Sequence, residues 1–270
     1  MASLIKYYGS KFYMTDIIIS HFPSDFKIYV EGFGGGASVL FAKKQTPLEI
    51  YNNLGENVYS VFKVLQDKNL FEQFRTKLEL TYYSAELREE FKKSLKVDDL
   101  SIVDRAYKYF YVNRTSFNGV GGFSTNLCIR RNMSKCVSDF LSSIDYLKDF
   151  HLRLQSVIIE NRDILDLIDK YGDSDTFFYL DPPYVHSTRT SSTNYEKEMS
   201  DEEHIKMIDR ILSSKGKFLI SGYDNDLYKK LEDNGFHKEL FKSPNVFSDK
   251  TECLWWNYNI GVKKGFEFGK

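Results

Sequence analysis

Short apolar runs that alternate with helical stretches constrain this chain more than any other feature. Strand candidates cover residues 27–31, 48–51, 156–160, 176–180, 217–221 and 254–258, each bounded by turn-forming residues. Helical candidates at 36–43, 163–170, 201–213 and 225–234 lie between several of them. Ser200-Asp201-Glu202-Glu203 opens one helix with the S-x-x-E pattern of a capping box. Such alternation predicts an α/β architecture, a mostly parallel sheet with helices on both faces. Residues from about 56 to 150 break the pattern and read as helices around a glycine-rich loop. This predicts an inserted helical subdomain.

A chain of 270 residues can hold one large domain or one domain with an insertion. With 42% hydrophobic and 28% charged residues, it has the composition of an ordered globular protein. Apolar runs such as residues 17–19 and 176–180 are too short for a membrane span. The N-terminus, Met1-Ala2-Ser3-Leu4-Ile5-Lys6-Tyr7-Tyr8, carries no apolar signal core. Cys128, Cys136 and Cys253 form no C-x-x-C, which argues against a disulfide framework and against zinc. His21, His151, His186, His204 and His237 show no metal-ligand spacing, so no metal is expected. Together these features predict a cytoplasmic protein. A net charge of −1 gives no global field that selects nucleic acid or membrane.

Two motifs carry chemistry. The first, Glu31-Gly32-Phe33-Gly34-Gly35-Gly36-Ala37-Ser38, follows a strand and opens a helix. Glycines there let backbone approach a ligand closely, and the spacing satisfies the G-x-G-x-x-A fingerprint of adenosine-containing cofactors. By itself it does not separate a nicotinamide cofactor from S-adenosylmethionine. The second, Asp181-Pro182-Pro183-Tyr184, sits at the carboxyl end of a strand candidate. Open α/β sheets bind their ligands at such ends. Adjacent prolines fix a carboxylate and a carbonyl side by side next to an aromatic ring, an arrangement suited to an exocyclic amine.

Taken together, Glu31-Gly32-Phe33-Gly34-Gly35 and Asp181-Pro182-Pro183-Tyr184 resemble an amino-group DNA methyltransferase of the adenine-N6 class. Lys6-Tyr7-Tyr8-Gly9-Ser10-Lys11 is similar to the K-x-x-G-x-K segment of the DNA adenine methylase (Dam-like) family. Asn113-Arg114-Thr115-Ser116-Phe117-Asn118-Gly119 is similar to that family's N-R-x-x-F-N-G segment. The four motifs occur in the family's order across essentially the whole chain. The resemblance implies a Rossmann-like methyltransferase sheet formed by residues 1–55 and 151–270, with a target-recognition subdomain at 56–150. It implies methyl transfer from S-adenosylmethionine to N6 of adenine in double-stranded DNA, with the base flipped out of the duplex. Asp181 and the Pro182 carbonyl would accept the amine hydrogens while Tyr184 stacks on the base. Tyr7, Lys11, Glu31, Phe33, Gly34, Gly35, Ser38, Asn53, Asp163 and Asp181 would surround the cofactor. Asp163 reads equally well as a helix N-cap. A cognate restriction endonuclease is a partner the resemblance leaves open.

One segment has the charge pattern of a DNA surface. From Arg105 to Ser138 there is no Asp or Glu, where the chain average would place about five. Arg105, Lys108, Arg114, Arg130, Arg131 and Lys135 are interleaved there with aromatics and with Gly119, Gly121 and Gly122. Tyr107, Phe110 and Tyr111 fit the core face of a helix. Arg114, Phe117, Asn118, Arg130 and Arg131 fall in less regular sequence and are the candidates for DNA contact.

The chain departs from the family at Asn53, where an acid usually takes the ribose hydroxyls; an amide there lacks charge assistance. Cytosine-N4 methylation would use the same amine-holding motif. A nicotinamide-dependent oxidoreductase would use the glycine turn but leave residues 181–184 without a role.

Overall fold

The computed structural model describes residues 3–7, 9–97, 99–185, 198–242 and 251–260. Tyr8 and His186 lie outside them. In chain order the elements begin with α1 (Thr15–Ser20), β1 (Ile28–Glu31), α2 (Ser38–Ala42), β2 (Leu48–Asn52) and α3 (Glu56–Gln66). There follow α4 (Lys68–Glu79), α5 (Ala85–Ser94), α6 (Ile102–Thr115), a small hairpin of β3 (Ile129–Arg130) and β4 (Met133–Ser134), α7 (Lys135–Asp145) and α8 (Leu147–Leu154). The chain then returns to alternation with β5 (Val157–Glu160), α9 (Ile164–Tyr171), β6 (Thr176–Leu180), α10 (Asp201–Ser213), β7 (Lys217–Tyr223), α11 (Lys229–Asp233), β8 (His237–Lys242) and β9 (Thr251–Trp256).

Seven strands form one sheet in the order β5-β2-β1-β6-β7-β9-β8. The first five are parallel, and β9 runs antiparallel to both β7 and β8. This is a doubly wound, Rossmann-like arrangement: the chain moves outward from β1 in one direction and then from β6 in the other. The topological switch point therefore lies between β1 and β6, and a crevice opens at their carboxyl ends.

Both sheet faces are covered, so the central strands are mostly apolar rather than alternating, with Glu31, Glu49 and Asn52 among the buried polar exceptions. Along β6, Phe177 and Tyr179 enter the core on one face, while Phe178 and Leu180 enter the core on the other. The second face is closed by α9, α10 and α11 through residues such as Leu167, Ile208 and Leu231. Ser200 caps α10 as the sequence predicts: its hydroxyl accepts from Glu203 N at 3.2 Å, and Glu203 Oε2 accepts from Ser200 N at 2.7 Å.

The first face continues into the helices of residues 56–154. Phe62 on α3 stacks on Tyr51 of β2 at 3.9 Å between ring centroids. From there an aromatic core runs outward through Phe74, Phe110, Tyr111 and Phe140. Phe110 and Tyr111 are fully buried and Tyr107 packs against them, so these three form a helix core face. Fully burying one such ring stabilises by roughly 1.5–3 kcal/mol, which holds these helices firmly beside the sheet. Among the described residues no helix is long and apolar enough to cross a membrane.

Candidate active site

The turn after β1 is built around backbone that cannot carry side chains. Gly35 has φ +46°, and a Cβ there would meet the Tyr7 ring at 2.7 Å. A Cβ on Gly34 would lie 2.1 Å from the Tyr51 ring. The Tyr51 hydroxyl donates to Gly35 O at 2.7 Å and fixes the turn from below. Asn52 ties this turn to the one after β5: its Nδ2 donates to Gly32 O at 2.9 Å, and its Oδ1 accepts from Arg162 N at 2.9 Å. The helix that follows is shorter than the predicted 36–43, because Ala37 adopts a left-handed φ of 54° before Ser38.

One pocket opens above this turn at the switch point, and all ten residues expected around a cofactor line it: Tyr7, Lys11, Glu31, Phe33, Gly34, Gly35, Ser38, Asn53, Asp163 and Asp181. Asp163 also serves as the N-cap of α9, accepting from Leu165 N at 2.8 Å. Ser38 is 2.7 Å from the Ser10 hydroxyl. Asn53 donates through Nδ2 to Gly55 O at 3.1 Å. Glu31 is buried beneath the turn and accepts from the Tyr29 hydroxyl at 2.7 Å. Burial pushes its carboxyl up to about 8, against the opposing pull of that hydrogen bond and of the Lys43 charge. Phe33, Leu54, Ile164 and Leu165 give the pocket an apolar wall, and Lys206 on α10 reaches its rim.

Asp181 leaves β6 at the edge of the pocket, and a polar cluster gathers around it. Lys11 Nζ lies 2.9 Å from Asp181 Oδ1, and Ser221 of β7 donates to the same oxygen at 2.7 Å. The buried Lys11 also donates to the Tyr184 hydroxyl. Burial alone would lower the Lys11 pKa, but Asp181, Glu252 and Tyr179 outweigh it and hold it above the usual lysine range. Pro182 is buried and, unlike Asp181 and Pro183, does not line the pocket. Tyr184 is half-buried, with its ring 4.3 Å from that of Tyr223. Its hydroxyl donates to Glu252 Oε2 at 3.1 Å, and the Tyr13 hydroxyl donates to Glu252 Oε1 at 2.6 Å. Tyr13 and Glu252 escaped sequence reasoning, although an acid directly before the apolar run Cys253-Leu254-Trp255-Trp256 is a usable signal. Ser221 closes the strand expected at 217–221, and the sequence alone assigns it no role.

The basic segment lies against the N-terminal stretch. Asn113 brackets Lys6, accepting from its N–H at 2.8 Å and donating to its C=O at 2.9 Å. Gly119, with φ +81°, passes so close to Lys6 O that a Cβ would sit 2.0 Å from it. Arg114 does not lie in irregular sequence. It occupies the last turn of α6, half-buried, and donates to Ser3 O at 3.2 Å, because residues 102–115 keep helical backbone through that turn. Phe117 and Asn118 are exposed, Phe117 at 65%, in the loop after α6. Arg131 and Asn132 both have positive φ (53° and 57°), the backbone of a tight type I′ turn joining β3 to β4. Arg130 and Arg131 are thus displayed at a hairpin tip. Arg130 pairs with Asp139 at 2.8 Å, and Arg131 donates to Ser142 at 3.1 Å.

Residues 7–250 match the model of the D12 class N6 adenine-specific DNA methyltransferase family. Type II methyltransferase M.MjaIII of Methanocaldococcus jannaschii is 27% identical over 250 residues, covering 84% of this chain and 86% of that protein. Type II methyltransferase M.CviBI of Paramecium bursaria Chlorella virus NC1A is 24% identical over 255 residues, covering 90% of each. Type II methyltransferase M1.LlaDCHI of Lactococcus lactis subsp. cremoris is 24% identical over 261 residues, covering 86% of this chain and 85% of that protein.

Proposed function

This chain belongs to the D12 class N6 adenine-specific DNA methyltransferase family, and we propose that its glycine-turn pocket binds S-adenosylmethionine beside an adenine held by Asp181, Pro182 and Tyr184. The observation that carries this reading is the convergence of the glycine turn and Asp181 on one pocket at the switch point. The pocket fits the group. Bare backbone at Gly34 and Gly35 admits a close ligand, the Phe33 and Leu165 wall suits an adenine ring, and Asn53 suits a ribose. The Asp181 carboxylate suits the positive charge of the sulfonium, and Glu31, kept protonated by burial, offers hydrogen-bonding oxygens at the methionine end. When bound, S-adenosylmethionine supplies an electrophilic methyl group on a sulfonium.

The chain's own residues then position the nucleophile. The N6 amine is a weak nucleophile because its lone pair is delocalised into the ring. Lys11 and Ser221 hold Asp181 Oδ1, which leaves Oδ2 to accept one amine hydrogen while the Pro182 carbonyl accepts the other. Two acceptors draw the nitrogen toward tetrahedral geometry and fix its lone pair in line with the methyl group. Tyr184 stacks on the flipped base.

Residues 1–55 and 151–270 carry this chemistry, and residues 56–150 engage double-stranded DNA. There Phe117, Asn118, Arg130 and Arg131 face the duplex, while Arg114 braces the N-terminal segment. The relatives' designation as type II methyltransferases extends the proposal to a cytoplasmic restriction–modification pair with a cognate endonuclease. Calorimetric titration tests the cofactor reading. Binding of S-adenosylmethionine without binding of NAD is expected, and the reverse overturns it.

A further inference from the structure

Glu252 is a buried carboxylate at a position where an apolar side chain would complete the strand at no desolvation cost. It is 2% exposed on β9, followed by the fully buried Cys253, Leu254 and Trp255. Removing a carboxylate from water is costly unless its oxygens are engaged. Both are: Oε1 accepts from Tyr13 at 2.6 Å and Oε2 accepts from Tyr184 at 3.1 Å. The Tyr184 hydroxyl also accepts from Lys11 Nζ, the cation that holds Asp181. The phenol oxygen is therefore held from two sides, as acceptor toward Lys11 and donor toward Glu252. Tyr13 anchors the carboxylate on its other side, from the turn directly after Lys11.

On the proposed reading, the Tyr184 ring is the surface on which the extruded adenine rests, so its plane sets the angle of the amine. We propose that Glu252 is a positioning residue for methyl transfer, acting through the Tyr184 hydroxyl, with Tyr13 as its second anchor. A ring free to tilt would let the amine leave the line of attack, and misplacement by about 1 Å costs on the order of a hundredfold in rate. The effect belongs to the transfer step, because Glu252 does not line the pocket that would hold the cofactor.

The test is single-turnover transfer of labelled methyl from saturating S-adenosylmethionine to genomic DNA, with calorimetric cofactor binding measured alongside. Glu252→Leu is expected to slow transfer by about tenfold to a hundredfold with cofactor affinity unchanged. Glu252→Gln keeps an oxygen for Tyr184 and is expected to recover most of the rate. Tyr184→Phe is expected to match Glu252→Leu, and the double variant to be no slower than the slower single one. If Glu252→Leu does not fold, Tyr13→Phe cuts one anchor and is expected to slow transfer at unchanged cofactor affinity. Transfer by Glu252→Leu, or in its place by Tyr13→Phe, at the wild-type rate overturns the positioning role. So does a Gln variant as slow as Leu, or losses that multiply in the double variant. A wild-type protein that moves no label overturns the proposed function instead, and the positioning role with it.

Discussion

Lys11 Nζ sits 2.9 Å from Asp181 Oδ1, joining a cation of the N-terminal segment to the carboxylate that leaves β6. Lys11 is almost wholly buried, whereas Asp181 keeps a fifth of its side chain open to the pocket side. The pair therefore orients the carboxylate rather than burying it, and the K-x-x-G-x-K segment reaches the chemistry through Asp181. Ser221 approaches the same oxygen from β7, so two neighbouring strands and the N-terminus agree on one orientation.

The glycine turn tolerates no side chain at Gly34. A methyl there would press on Tyr51, which is fully buried and stacked on Phe62, so neither ring can retreat. Gly34→Ala is expected to lower stability by about 1–3 kcal/mol, the usual cost of overpacking, and to weaken S-adenosylmethionine binding. Denaturant unfolding and calorimetry measure the two effects. A variant with wild-type stability contradicts the close contact.

Much of this site is legible in the sequence because its parts are short, contiguous motifs at strand ends. The parallel strands β1, β2 and β6 stand out because burial on both faces keeps them largely apolar, and β5, at the sheet edge with Ile158 exposed, stands out by its β-branched run Val157-Ile158-Ile159. β8 does not: His237-Lys238-Glu239-Leu240-Phe241-Lys242 is an edge strand, partly exposed and mixed in polarity. β9 was expected at 254–258 because Trp255 and Trp256 dominate the pattern, yet pairing with β8 starts it at Thr251. That shift of three residues is what hid Glu252. Arg114 was misplaced for a related reason: the N-R-x-x-F-N-G segment looks irregular, but its first residues complete α6.

Asn53, just after β2, stands where the family resemblance leads one to expect an acid. Glu56 points away, 3.8 Å from Arg105, and does not line the pocket. Asn53→Asp is expected to tighten S-adenosylmethionine binding by about fivefold, the value of one charge-assisted hydrogen bond. It also loses the donor to Gly55 O, so the free protein should be less stable by about 1 kcal/mol. Calorimetry reads the first and thermal unfolding the second. Weaker cofactor binding contradicts the ribose role.

Glu31 makes stability depend on pH. Below its ordinary value of 4.5 the carboxyl is protonated in folded and unfolded chains alike. Between 4.5 and about 8 the unfolded chain releases that proton while the folded chain keeps it. Its contribution to stability is therefore lost as pH rises through this window and levels off above it. Glu31→Gln stays neutral throughout and is expected to give a flatter profile. Urea unfolding across the window checks this, and wild-type and variant profiles of equal slope contradict it.

At the hairpin tip, Arg131 carries no carboxylate partner among its described contacts, whereas Arg130 is paired with Asp139. Arg131→Ala is expected to weaken DNA binding and reduce the log–log salt slope by roughly one. Asp139→Asn removes the carboxylate that pairs with Arg130 and Lys135, so on the proposed reading it is expected to tighten DNA binding. Binding titrations across salt concentrations measure both. Unchanged affinity in both variants moves the DNA surface away from the hairpin.

The central claim is that Asp181 holds the adenine amine for transfer from the adjoining pocket. The most direct measurement incubates wild type and Asp181→Ala with methyl-labelled S-adenosylmethionine and genomic DNA, digests the DNA to nucleosides and identifies the labelled one. Wild type is predicted to label N6-methyladenine alone. Asp181→Ala is predicted to transfer at least about a hundredfold more slowly while still binding cofactor in a parallel titration. Label in N4-methylcytosine, or near-normal transfer by Asp181→Ala, would contradict the account.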